Sequence, residues 1–243
     1  MIARFHCPFP LAPGAQIELP EAAAHHALKV LRMKAGERVI LFDGRGGEWL
    51  AELKVGAGGT AHAALRAFAD RDCESPLHVT LAQALPAGDK MDWVVEKCVE
   101  LGVAAIQPVA AKRSVIRLSA ERMARRVAHW NAIARAACEQ CGRNRVPEVA
   151  PLLDLPQYLA RAQAQNARRL LLDPQGGTAL QALDRPAAPV VVLSGPEGGW
   201  EAGELQAAHT AGFQALKLGP RILRSETAGA AALAALQARW GDF

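Results

Sequence analysis

The chain has little cysteine: five residues in 243, an odd number and scattered. A protein of this size needs no covalent staples, so a disulfide framework is excluded and reduced thiols are expected. Cys138 and Cys141 form the single C-x-x-C pair, and neither a second pair nor an H-x-x-x-H is there to complete a tetrahedral site, so no metal is expected. A redox pair and two small residues at a helix end are both open readings of it, the second favoured. Long apolar runs are missing too. The longest, Ala228 to Leu236, is broken by Gly229 and falls far short of the ~20 residues of a membrane span. The opening Met1-Ile2-Ala3-Arg4-Phe5-His6-Cys7-Pro8 lacks the basic start, apolar run and small-residue cleavage site of a secretory signal, so no membrane association and a cytoplasmic location are expected. There is no G-x-S-x-G nucleophile elbow, internal repeat or low-complexity segment.

What is present is a chain 51% hydrophobic, enough for one sizeable core and a small second one. Its net charge of +4 is mild but uneven. Between Lys112 and Arg145 stand nine Lys or Arg (Lys112, Arg113, Arg117, Arg122, Arg125, Arg126, Arg135, Arg143, Arg145) against Glu121 and Glu139, a local +7 that leaves −3 for everything else. Such an excess points to a polyanionic partner.

The first seventy residues read as short strands and turns. In Glu48 to Val55, Trp49, Ala51, Leu53 and Val55 alternate with Glu52 and Lys54, and Asp43-Gly44-Arg45-Gly46-Gly47 separates this run from Arg38 to Phe42 as a hairpin loop. A strand over Ala61 to Ala69 and a short helix over Ala22 to Leu31 complete a small β-barrel pattern. Near Asp70 to Pro76 the chain turns polar, and domains of 1–72 and 73–243 are expected. Beyond that boundary, apolar strands (Leu77–Leu85, Val103–Val109, Arg169–Leu172, Pro189–Leu193, Phe213–Leu218) alternate with helices (Asp89–Leu101, Ser119–Cys141, Glu201–Ala211, Glu226–Trp240). That alternation predicts an α/β fold with a mostly parallel, doubly covered sheet.

Neither early glycine cluster serves as a phosphate loop: a strand follows Gly47 where a helix is needed, and no helical stripe follows Gly56-Ala57-Gly58-Gly59. The later loops differ. Ser194-Gly195-Pro196-Glu197-Gly198-Gly199 follows the buried run Val190 to Leu193 and precedes a helix, so it lies where parallel sheets bind ligands. In Leu218-Gly219-Pro220-Arg221-Ile222-Leu223-Arg224-Ser225-Glu226-Thr227-Ala228, two apolar residues sit between arginines just before a helix, suited to wall an adenine and meet a carboxylate or phosphate. The alanine-rich helix after it fits a crowded site or a plain core.

These two loops resemble the signature loops of the knotted SPOUT methyltransferases and, more narrowly, of the small-subunit (16S) ribosomal RNA uridine N3-methyltransferase family. The likeness continues through His26 with Val30-Leu31-Arg32, Leu41-Phe42-Asp43-Gly44, Glu100-Leu101-Gly102-Val103, Arg113-Ser114, and Glu139-Gln140 with Arg143-Asn144-Arg145. It implies an N-terminal PUA-like RNA-binding β-barrel, a C-terminal trefoil-knotted methyltransferase domain and a homodimer. S-adenosylmethionine is the implied cofactor, held by Leu193, Ser194, Gly195, Glu197, Gly198, Gly199, Leu218, Gly219, Ile222, Leu223 and Arg224. The implied partner is ribosomal RNA of the small subunit.

A uridine N3 must lose its proton before or during attack, which a nearby cation or carboxylate assists. Arg224, Glu226, Arg143 and Glu139 are the candidates. Each carboxylate has a plainer alternative: Glu226 as a favourable charge at a helix N-terminus, Glu139 as a partner of Arg143. Arg4, His26, Arg32, Arg113, Arg122, Arg125, Arg126, Arg143 and Arg145 are candidate RNA contacts, against the alternative of a solvated basic surface. Two other functions stand beside this one: a SPOUT enzyme on another RNA or base, and a catalytically silent ribosome-assembly protein.

Overall fold

The computed structural model describes residues 2–56, 59–114 and 119–243, which leaves Arg117 of the basic segment and part of the Gly56–Gly59 turn outside the described residues. The chain divides into two compact units, Met1–Glu74 with Arg135–Val146, and Ser75–Ala134 with Pro147–Phe243. Residues 135–146, expected within 73–243, thus group with the N-terminal segment.

The first unit holds strands β1 (Ala3–His6) and β2 (Gln16–Glu18), helix α1 (Glu21–His25), and strands β3 (Arg38–Phe42), β4 (Glu48–Val55) and β5 (Ala61–Ala69). The sheet order is β1-β3-β4-β5-β2, with β1 parallel to β3 and the other pairs antiparallel. The expected alternation appears in β4: Ala51 and Leu53 are buried and Trp49 packs against the same core. Val55 is a correction, since it ends the strand and is exposed. The single helix expected over 22–31 is α1 followed by a π-helical turn, His26–Val30. Its wider i to i+5 bond, Leu31 N–H to His26 O at 2.9 Å, leads into Arg32 at φ 54°. A left-handed arginine is strained, and such strain gathers at functional sites.

The second unit begins with β6 (Val79–Ala84), α2 (Lys90–Glu100), β7 (Ala105–Ala110) and α3 (Ala120–Cys141), whose last turns belong to the first unit. There follow β8 (Glu148–Val149), β9 (Leu153–Asp154), α4 (Leu155–Gln163), β10 (Arg168–Leu172), β11 (Thr178–Ala179), β12 (Val190–Ser194), α5 (Ala202–Thr210), β13 (Gln214–Lys217) and α6 (Ser225–Trp240). The sheet runs β11-β13-β10-β12-β6-β7-β8, with β9 beside β7 and every pair parallel. Its central strands are buried, which is why they read as continuous apolar runs.

Met123, Trp130, Ala134 and Ala137 form the buried stripe of α3, as their spacing requires. Helix α6 is alanine-rich because it lies tight on β6: a Cβ added to Gly229 would stand 3.0 Å from Gln83 Oε1 and 3.1 Å from Leu81.

Candidate functional site

Strands β10, β12 and β13 end side by side, and the loops at their carboxyl ends enclose a cavity of about 860 Å³. This is the place where open parallel sheets take ligands, and the size is that of a small-molecule site. Apolar walls come from Leu172, Leu216, Leu218, Ile222 and Leu223.

The sequence of the β12 loop explains its shape. Trp200 lies against Gly195, where an added Cβ would be 2.9 Å from the indole nitrogen. Gly199 N–H closes a turn onto Pro196 O at 2.9 Å, with Gly199 at φ +67°. Glu201 and Glu204 then form a capping box that starts α5. On the other side, Arg224 is the extended N-cap of α6, and its carbonyl accepts from Thr227 and Ala228 N–H.

A buried polar chain ties the two loops together. Ser225 Oγ donates to Gly195 O at 2.7 Å, and Gln83 Nε2 donates to Ser225 Oγ at 3.2 Å. A second tie is ionic. Lys90 Nζ stands 3.0 Å from Glu197 Oε1 and 3.4 Å from Glu226 Oε2, and Ala87 N–H also donates to Glu197. Burial pushes the Glu197 carboxyl up, but its backbone hydrogen bonds and Lys90 outweigh that and hold it below the usual carboxylate range. The bond to Glu197, with the charge of Glu226, raises Lys90 above an ordinary lysine.

Of the residues expected to hold a cofactor, Ser194, Gly195, Glu197, Gly199, Leu218, Gly219, Ile222, Leu223 and Arg224 line the cavity. Two do not. Leu193 is fully buried in the core beneath. Gly198 faces Arg113, which donates to its carbonyl at 2.8 Å and whose Cβ would lie 3.1 Å from an added one.

Among the catalytic candidates, Arg224 and Glu226 come together here, 4.0 Å apart at their nearest charged atoms, the arginine 81% exposed. Arg143 and Glu139 belong to the other unit. Arg143 is buried against the Glu74 carboxylate, and Glu139 accepts from His6 N–H at 2.8 Å.

Lys90, Asp173 to Gln175 and Trp200 are wall residues that sequence reasoning missed. The strand ending at Leu172 was legible, but that its following loop joins the site depends on β10 lying between β12 and β13.

The candidate RNA contacts also divide. His26, Arg32, Arg113, Arg122, Arg125 and Arg145 are exposed and Arg126 half-buried, while two are corrections: Arg143 is buried, and the Arg4 side chain is only 8% exposed, engaged by Glu48 and Asn144. Cys138 is buried, which pushes its thiol up to about 12 and argues against redox chemistry there. Among the described residues no cluster could hold a metal ion.

The cavity also fits a ligand with both polar and apolar parts. Ser194 Oγ and Trp200 Nε1 line it, are buried, and have no hydrogen-bond partner; such groups are costly unless a ligand satisfies them. A Cβ added at Gly199 or Gly219 would meet nothing within 4 Å, so both backbones are open to close approach.

Residues 73–237 match the model of the RNA methyltransferase domain, and residues 19–65 that of the RNA methyltransferase PUA domain. The Ribosomal RNA small subunit methyltransferase E of Synechocystis is 36% identical over 92% of this chain and 73% of its own length. That of Buchnera aphidicola from Schizaphis graminum is 30% identical over 100% and 98%. The crystal structure of the Neisseria gonorrhoeae enzyme of the same name, bound to S-adenosyl methionine, superimposes with a TM-score of 0.93 at 41% identity, covering 100% of both chains. Fold and site thus define an RNA methyltransferase. The chain belongs to the ribosomal RNA small subunit methyltransferase E family.

Proposed function

We propose that this protein transfers a methyl group from S-adenosylmethionine to N3 of a uridine in small-subunit ribosomal RNA. The observation that carries the reading is the cavity at the ends of β10, β12 and β13, with open glycine backbone and two unsatisfied buried donors, in a chain of this family.

When bound, the cofactor supplies an electrophilic methyl on a sulfonium. The chain supplies position, the larger part of such an acceleration. Leu218, Ile222 and Leu223 offer an apolar slot, and Ser194, Gly195, Gly199 and Gly219 bring hydroxyl and backbone groups to its wall. Glu226 is the proposed acceptor of the N3 proton, kept in place by Lys90, and Arg224 favours the uridine anion.

The working protein is proposed to be a cytoplasmic homodimer carrying the deep trefoil knot that the resemblance implies. His26, Arg32, Arg113, Arg122, Arg125, Arg126 and Arg145 are the proposed RNA contacts. Two measurements test the reading: calorimetric titration with S-adenosylmethionine, and mass spectrometry of ribosomal RNA nucleosides from a deletion strain. Loss of N3-methyluridine from small-subunit RNA supports it. Failure to bind the cofactor would return the chain to a silent RNA-binding protein, and loss of another modified nucleoside to a sibling enzyme.

A further inference from the structure

A second cavity, of about 480 Å³, lies wholly within the N-terminal unit, with Leu11 and Pro13 on its wall and Asp43, Arg45, Trp49 and Phe68 around them. It has no part in the cofactor site. Trp49 and Phe68 face each other across β4 and β5, ring centroids 5.1 Å apart and planes inclined by 52°. Phe68 is 51% exposed, an unusual place for a phenylalanine. The chain makes specific room for it: a Cβ at Gly47, φ +67°, would stand 2.3 Å from the Phe68 ring. A side chain at position 47 would push the ring off this surface.

The polar side of the cavity is prearranged, each of its two arginines resting beside an acid, Arg45 by Asp43 and Arg145 by Asp72 at 3.6 Å. Arg45 donates from Nε (3.0 Å) and Nη2 (2.5 Å) to Asp43, which fixes the guanidinium while it remains 64% exposed. The Asp43 carboxyl feels burial upward, but the Arg45 hydrogen bonds prevail and hold it below its ordinary range. The Arg145 guanidinium lies over Gly46, 2.8 Å from where a Cβ would be, and its side chain is 54% exposed. An exposed phenylalanine backed by a half-buried tryptophan and flanked by two arginines, one held rigid, is the chemistry that takes an unpaired base on its π face and the adjoining phosphate on its cations.

We infer that this cavity is a subsite for one unstacked nucleotide of single-stranded RNA, the base against Phe68 and Trp49 and the phosphate toward Arg45 and Arg145. The inference rests on the RNA-directed reading above and adds to it a recognition point away from the methyl donor.

The test uses the full-length protein and two labelled probes of equal length, a mixed-sequence oligoribonucleotide and an abasic oligomer of the same charge. Parent protein is expected to bind the base-bearing probe more tightly. Phe68→Ala should weaken that binding roughly tenfold, the range expected for one stacked base, and leave the abasic probe unchanged. Phe68→Tyr, which keeps a stacking ring, should retain the parent affinity and guards against a fold defect in the alanine variant. Arg45→Gln should weaken both probes. The inference is overturned if the parent does not distinguish the probes, or if a folded Phe68→Ala binds both as the parent does. S-adenosylmethionine binding, measured alongside, separates the outcomes: its loss in the parent defeats the methyltransferase reading, whereas its retention with indifference to bases defeats only the subsite.

Discussion

At Gly219, φ is +72° and an added Cβ would meet nothing within 4 Å, whereas at Gly198 it would press on Arg113. The first glycine serves the cavity by conformation, the second only makes room for a neighbour. Gly219→Val forces a branched residue into left-handed backbone, at a cost of about 1–2 kcal/mol. It should lower both the melting temperature and the affinity for S-adenosylmethionine, and Gly198→Val should lower that affinity less. A calorimetric affinity equal to the parent's in folded Gly219→Val would take this loop out of the cofactor site. Two carboxylates give opposite pH signatures. Glu197 is held below the ordinary 4.5, so its contribution to stability is full above pH 4.5 and is lost as pH falls through its lowered value. Glu139 is raised by burial, which outweighs its bond from His6 N–H, so the fold favours its protonated form and loses that advantage as pH rises past 4.5 and through the raised value. Melting curves against pH should therefore show Glu197→Gln less stable than the parent at neutral pH and Glu139→Gln more stable. Both differences should fade in acid; a neutral-pH loss for Glu139→Gln would mean that its charge supports the fold.

Helix α4 shows what an element can hide from sequence reading. Its Asp154 side chain accepts from Gln157 N–H at 2.8 Å and Pro156 sits in the first turn, both ordinary start signals, yet no element is expected between the helix Ser119–Cys141 and the strand Arg169–Leu172. Asp154→Ala should cost about 1 kcal/mol, read as a lower urea midpoint at an unchanged slope; an unchanged midpoint would mean that packing of Tyr158 and Leu159 alone sustains the helix. The other elements missed were the brief strands β1, β2, β8, β9 and β11. Two to four residues carry no readable period, and β1 is a strand because it lies parallel to β3, more than thirty residues away. The long elements were legible since each has a buried run or stripe of its own. The candidate site divides the same way. The loops after β12 and β13 announce themselves by glycine, proline and charge set directly before a helix, whereas Asp173 to Gln175, with no helix directly after it, and Lys90 join the cavity only through the order of strands and the start of α2.

Across the whole molecule the charge is the feature that a polyanion meets first. Dimerisation, proposed from the resemblance, should appear as a doubled mass in sedimentation at micromolar concentration, and a monomer there would contradict it. The helix α3 arginines offer a sharper test. Arg125 lies 2.6 Å from Glu121 one turn away, with both side chains over 70% exposed, and Arg126 pairs with Asp89 at 3.1 Å. The exposed Arg125 pair is weak, and half-buried Arg126 holds an acid that is itself 88% exposed, so either arginine can leave its acid for a phosphate. Each phosphate contact on single-stranded RNA releases counterions and steepens the fall of log affinity with log salt by about 0.7. Replacing Arg125 and Arg126 together by Ala should therefore flatten the line by about one unit or more if both meet RNA. Cofactor affinity should be untouched, because neither residue lines the cavity. A matched salt titration of parent and double variant, with S-adenosylmethionine binding as the control for folding, decides the matter: equal slopes would leave Glu121 and Asp89 as the arginines' true partners and make this face of α3 a solvated one.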